Sequence, residues 1–187
     1  MQKLSALTAP MTLSNGVTIP GLGYGTYQTP NEETKKAVLE ALSVGYRHID
    51  TAAVYGNEQG VGAALKESDI AREDIFVTSK LWNTERGYDA TKAAFAQTIA
   101  TLGVDYLDLY LIHWPANTKQ FEAKDAELNA ETWRAMEDLY NEGKIRAIGV
   151  SNFMPHHLDA LMKTAVIKPM VDQIEVHPGW PQAEAVR

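Results

Sequence analysis

The sequence predicts an α/β fold of the (β/α)8 barrel class, preceded by a β-hairpin. Three observations carry this reading. Amphipathic helical stretches alternate with near-continuous apolar runs, the mark of a parallel sheet buried on both faces. Three of those runs end on Asp50, Lys80 and His113, spaced 30 and 33 residues apart, and in a barrel all such ends share one face. No G-x-G-x-x-G loop opens a helix after the first strand, as an open dinucleotide-binding sheet would require. The glycines of GLGYGTYQTP have a different spacing.

The elements follow in order. In MTLSNGVTIP, Asn15-Gly16 between two short alternating runs is a strong hairpin signal. GLGYG is the first barrel strand. Thr29, Pro30 and Glu32 then predict a capped helix start, and the helix closes at Gly45 before a strand ending at Asp50. Asn57 caps a helix through Lys66, followed by the strand DIFVTSK. Asp89 caps a helix through Leu102, closed by Gly103 and followed by DYLDLYLIH. A helix around Glu131 to Glu142 leads through Gly143 into KIRAIGVSN, and one over about Pro155 to Lys163 precedes PMVDQIEVH.

That makes about six of eight strand–helix units in one domain over residues 1–187. A closed barrel typically takes ~250 residues, so the last quarter or more is expected to lie outside this chain. The apolar fraction of 45 % with 22 % charged residues argues against disorder. A net charge of −7 without a basic run argues against nucleic acid as a partner. The chain has no cysteine, which excludes disulfides and thiolate chemistry and fits a reducing, cytoplasmic compartment. MQKLSALTAPMTL lacks the apolar core of a signal peptide, and no window approaches a membrane span. His156 and His157, adjacent on a helix, should point apart and hold no metal. His177 is given no role, and Trp133 reads as helix packing.

DTAAVYGNE, VTSKLW, DYLDLYLIHWP, GKIRAIGVSNF and DQIEVHP together resemble the aldo-keto reductase superfamily in order and spacing. Within it the chain is most similar to bacterial reductases of 2,5-diketogluconate and of methylglyoxal-type dicarbonyls. The resemblance covers the chain from the hairpin to its last residue. It implies an NADPH-dependent carbonyl reductase, monomeric when full-length, with the catalytic tetrad Asp50, Tyr55, Lys80 and His113. It further implies that Ser151, Asn152 and Gln173 hold the nicotinamide carboxamide, with Asp50 beside it and Gly25 and Thr26 allowing close approach. Tyr27, Trp82, Trp114 and His113 would line the substrate slot. Basic residues that grip the 2′-phosphate belong to a part of the family chain beyond this one.

Chemistry gives each of the four groups a reason. Hydride addition to a carbonyl builds charge on oxygen, and Tyr55 can deliver the proton. A free phenol titrates near ~10, high for that work. A cation ~4 Å away at an effective dielectric of ~20 is worth roughly 4 kcal/mol, or about three pKa units, so Lys80 is expected to lower it. Asp50 would keep Lys80 charged and oriented while softening its pull on the phenol, and His113 would orient the carbonyl, or in a minority reading donate the proton itself. Taken singly, these residues read as a helix cap, a rim aromatic, a snorkelling lysine and a core histidine. Two alternatives stand beside the reductase: a Schiff-base aldolase using Lys80, and a non-catalytic fragment or scaffold.

Overall fold

The computed structural model describes residues 9–121, 124–183 and 185–186. Strands β1 (Pro10–Thr12) and β2 (Thr18–Pro20) form the expected hairpin, with Met11 opposite Ile19. Asn15 serves the turn and the docking of the hairpin together. Its Oδ1 accepts the Val17 N–H at 3.1 Å, and its Nδ2 donates to the Arg146 carbonyl at 2.9 Å.

Six parallel strands follow: β3 (Tyr24–Gly25), β4 (His48–Asp50), β5 (Phe76–Leu81), β6 (Leu107–Ile112), β7 (Ile145–Ser151) and β8 (Asp172–Gln173). They lie side by side in chain order. A doubly wound sheet reverses its order at a switch point; this sheet does not, so it is a run of barrel wall. Helices α1 (Asn31–Ser43), α2 (Glu58–Glu67), α3 (Tyr88–Leu102), α4 (Thr118–Phe121), α5 (Asp125–Asn141) and α6 (Pro155–Leu161) fill the connections.

Two apolar clusters divide the interior. Outside the wall, Val77, Tyr110, Ile112, Ile148 and Val150 pack against Val38, Val61, Phe95, Trp133 and Met136 of the helices. Inside, Phe76, Leu109, Leu111 and Ala147 meet Ile19 of the hairpin, which closes the amino end. Every residue of β5 and β6 is buried, so both faces are covered. Each fully buried Leu, Ile or Phe contributes roughly 1.5–3 kcal/mol relative to exposure. Trp133 is buried and donates its indole N–H to the Ile167 carbonyl at 2.9 Å, the packing role expected of it.

The outer strands fall short of the sequence pattern. GLGYG yields only Tyr24–Gly25, and PMVDQIEVH only Asp172–Gln173. Each borders one neighbour, and an unpaired edge leaves extended residues without a ladder. Helix starts also differ. Pro30 is extended and precedes α1, no side chain caps it, and Thr34 instead donates its hydroxyl to the Pro30 carbonyl at 2.8 Å. Helix α3 begins at Tyr88 because Gly87, at φ 89°, turns the chain where an L side chain would strain. Helix α5 begins at Asp125, earlier than Glu131. His156 and His157 do not point apart: their ring centroids lie 3.9 Å apart, because His157 folds back so that its Nδ1 accepts the Met154 N–H at 3.1 Å. Among the described residues no helix is long and apolar enough to cross a membrane, and no group of three or more His, Asp or Glu could hold a metal.

Candidate active site

The parallel register brings the carboxyl ends of the strands together. Gly25 pairs with Asp50, Asp50 with Thr78, and Lys80 with Leu111, which places Asp50 and Lys80 on the inner face above the apolar plug. Lys80 is 1 % exposed. Its ammonium binds Asp50 Oδ1 and donates to the Thr51 carbonyl at 3.0 Å. The second Asp50 oxygen accepts the Gln173 amide at 2.8 Å.

Tyr55 ends a short 3-10 turn, Ala53–Tyr55, and Gly56 at φ 68° lets the chain leave it sharply. The Tyr55 ring lies 5.2 Å from the Lys80 ammonium, 5.6 Å from the His113 ring and 5.1 Å from Tyr27. Trp82 stands edge-on to His113 at 5.2 Å. Tyr27, Tyr55, Trp82, His113, Trp114 and Asn152 line a mouth of about 600 Å³, the size of a small-molecule site.

The residues expected around a carboxamide divide. Asn152 lines the mouth at φ 61°, held by Nδ2 bonds to the His113 carbonyl at 3.0 Å and to Ser151 Oγ at 3.1 Å. Ser151 donates to the Gln173 carbonyl at 2.8 Å. Gly25 is exposed, and nothing lies within 4 Å of where a Cβ would stand. Thr26 is fully buried with its hydroxyl directed at Asn57 Oδ1, 3.3 Å away, so it offers no surface to a molecule in the mouth.

Comparison with known proteins places this arrangement. Residues 20–186 match the aldo/keto reductase family. The chain belongs to that family. It is 51 % identical over 181 residues to glyoxal reductase of Bacillus subtilis, covering 96 % of this chain and 62 % of the relative. It is 50 % identical over 173 residues to 9,11-endoperoxide prostaglandin H2 reductase of Trypanosoma cruzi, covering 92 % and 58 %. Among solved structures, an aldo/keto reductase from Brucella melitensis superposes with a TM-score of 0.89 at 49 % identity, over 95 % of this chain and 66 % of that one. A Bombyx mori aldo-keto reductase in complex with NADP gives 0.87 at 38 % identity, over 97 % and 62 %. This aldo/keto reductase chain spans about three-fifths of the length of the curated relatives it matches.

The electrostatics of the site correct one expectation. Lys80 does not lower the Tyr55 phenol, which is pushed up to about 12 by burial first, then by the Asp50 charge and by Tyr27. The ammonium is spent on Asp50, and the anion of that pair opposes ionisation of the phenol. Burial lowers the Lys80 pKa, while Asp50 raises it. His113 is pushed down to about 4 by burial, then by Lys80 against Asp50, with Arg86 adding to the fall. At pH 7 that favours the neutral imidazole, which weighs against the reading in which a protonated His113 is the acid.

Two residues in this aldo/keto reductase site escaped the sequence reading. Asn57, read as a cap, makes no capping bond. Its fully buried amide donates to the Thr26 and Thr29 carbonyls at 2.8 and 2.9 Å, and its oxygen accepts the Thr51 hydroxyl at 3.0 Å. That ties the loop bearing Tyr27 to the segment that presents Tyr55. The signal lay in the GNE of DTAAVYGNE, but a cap and a cross-loop bridge look alike in sequence. Arg86 is 8 % exposed and grips Asn83 Oδ1 and the Trp114 carbonyl, while its Nε and Nη1 find no partner among the described residues. Nothing in WNTERG announces a buried cation.

Proposed function

We propose that this chain carries the catalytic half of an NADPH-dependent reductase that converts small aldehydes and dicarbonyl compounds to alcohols. The observation that supports it is the convergence of Tyr55, the Asp50–Lys80 pair and His113 on one mouth of about 600 Å³ walled by Tyr27, Trp82 and Trp114. A relative named for glyoxal and a structural neighbour bound to NADP point the same way.

The mouth fits a nicotinamide. Gly25 leaves open backbone beside Asp50, and Ser151, Asn152 and Gln173 supply a hydroxyl and two amides suited to a carboxamide. NADPH, when bound, supplies the hydride to the carbonyl carbon. Tyr55, raised to about 12, holds its proton throughout the neutral range and gives it to the carbonyl oxygen as negative charge builds there. The neutral His113 ring offers one N–H to the same oxygen and fixes its orientation. Asp50, itself held by the Gln173 amide, fixes the Lys80 ammonium 5.2 Å from the centre of the Tyr55 ring. The aromatic walls exclude water and favour a compact substrate. The cytoplasm is its proposed compartment, a reading that a cysteine-free chain fits.

An aldolase working through a Lys80 Schiff base has less support, because the amine is 1 % exposed and tied to Asp50 and Thr51. The test is NADPH consumption with methylglyoxal by this chain and by a longer version that supplies the remaining strands. Tyr55→Phe should lower turnover at least a hundredfold while cofactor affinity changes little. Unchanged turnover in that variant, or substrate trapped on Lys80 by borohydride, would overturn the reading.

A further inference from the structure

A second cavity, of about 630 Å³, opens outside the sheet between α2 and α3. Val54, Trp82, Ala93 and Ala94 supply apolar surface to it, and Glu58, Glu85 and Thr98 stand among its lining residues. Tyr55, Lys80 and His113 do not line it. Its helices follow β4 and β5, whereas the free edges of the sheet are β3 and β8, so a strand added at either edge leaves it open.

Glu58 sits at the start of α2 and is 6 % exposed. Its Oε1 accepts the Ser79 hydroxyl at 2.6 Å. Burial raises its pKa, against the hydroxyls of Ser79 and Thr98. From β6 the wholly buried Tyr110 hydroxyl, without a well-formed hydrogen bond among the described residues, lies near Glu58, Thr98 and Glu85. An acid that served only the helix dipole needs no cavity beside it. Here it lies under an apolar-walled cavity of ligand size, with few polar groups converging on it. Among the described residues the lining holds two carboxyl groups and no Lys, Arg or His, so it disfavours anions.

We propose that this cavity is a second small-molecule site, separate from the mouth, that takes a primary amine on a compact apolar or aromatic body. The ammonium meets Glu58, and the body lies against Trp82, Ala93 and Ala94. Val54 and Trp82 also line the mouth, so an occupant here shares a wall with the reaction site.

Benzylamine is the probe, with benzyl alcohol and benzoate as matched controls, titrated into the chain while backbone amide resonances are followed. Benzylamine should shift the amides of Ala93, Ala94 and Thr98 saturably and bind about tenfold tighter than the alcohol, the worth of one charge-assisted hydrogen bond. Benzoate should leave them unmoved. Glu58→Gln should bring the amine down to the affinity of the alcohol, and Ala94→Phe, which fills the cavity, should abolish both. Absence of α3 shifts with benzylamine, or amine and alcohol of equal affinity in the parent chain, overturns the proposal. No turnover is read, so the outcome is independent of the proposed reductase activity.

Discussion

At the amino end of the sheet, Asp108 is 1 % exposed, and both its oxygens are engaged. Arg146 reaches Oδ1 at 2.8 Å, while Arg72 and the Val77 N–H reach Oδ2 at 2.9 Å each. Arg72 also donates to the Ile75 and Tyr106 carbonyls and lies over the Tyr106 ring. At the carboxyl end, Asp50 and Lys80 form another close pair, but the groups around them are left in tension. The phenol of Tyr55 is raised and the imidazole of His113 is lowered, and among the described residues the buried His113 Nδ1 and two Arg86 nitrogens have no hydrogen-bond partner. One end joins charges to hold the wall together. The other holds a phenol and an imidazole in their neutral forms beside a buried ion pair, the groups to which the proposed function assigns the carbonyl oxygen.

The contrast can be broken from either end. The largest effect is expected at Lys80→Met, which strands the Asp50 carboxylate in the interior. Loss of a buried partner costs about 3–5 kcal/mol, so urea unfolding should show a large drop in midpoint, and a drop under ~1 kcal/mol would mean that Asp50 is well hydrated. Asp108→Ala should cost about 3 kcal/mol, discounted because Arg146 and Arg72 are partly exposed. The ring contacts of Tyr55 and Trp82 at the mouth should survive this change, visible as unchanged aromatic resonances of both. If those resonances move, the two ends are not separate.

Asn57→Ala is expected to cost about 2–3 kcal/mol, because it removes a fully buried amide that donates to the Thr26 and Thr29 carbonyls and accepts the Thr51 hydroxyl. Unlike Asp108→Ala, it should also disturb the Tyr27–Tyr55 contact, read by the same resonances. The smallest effects follow pH. His113 titrates near about 4 in the fold and near its ordinary value of 6.5 unfolded. The unfolded chain therefore binds more protons in that window, and stability should fall as pH drops from about 6.5 towards about 4. Tyr55 runs the other way: held up at about 12 against 10.0 unfolded, it should cost stability as pH rises through that alkaline interval. His113→Gln should flatten the acid limb relative to the parent chain; an unaltered limb would assign it to another group such as His48, also lowered by burial.

Much of the wall was legible because its middle is regular. FVTSKL and LDLYLI are buried on both faces, and an apolar run between helices says so directly. The edges were misjudged because a strand needs a neighbour, and Tyr24–Gly25 and Asp172–Gln173 each have only one. Helix starts were read from cap residues, yet Asn57 spends its amide on another loop and Gly87 sets the entry to α3 by backbone angle alone. The four polar residues were found because each sits at or just after a strand end, where parallel register collects them.

The sequence by itself determined the alternation of elements, the face on which Asp50, Lys80 and His113 gather, and the family, since periodicity and motif spacing are properties of the chain's order. Only the tertiary structure decided the protonation states. A pKa depends on depth of burial and on the distance between groups far apart along the chain. Asp50, thirty residues before its lysine, is close enough to neutralise the cation that Tyr55 was expected to feel.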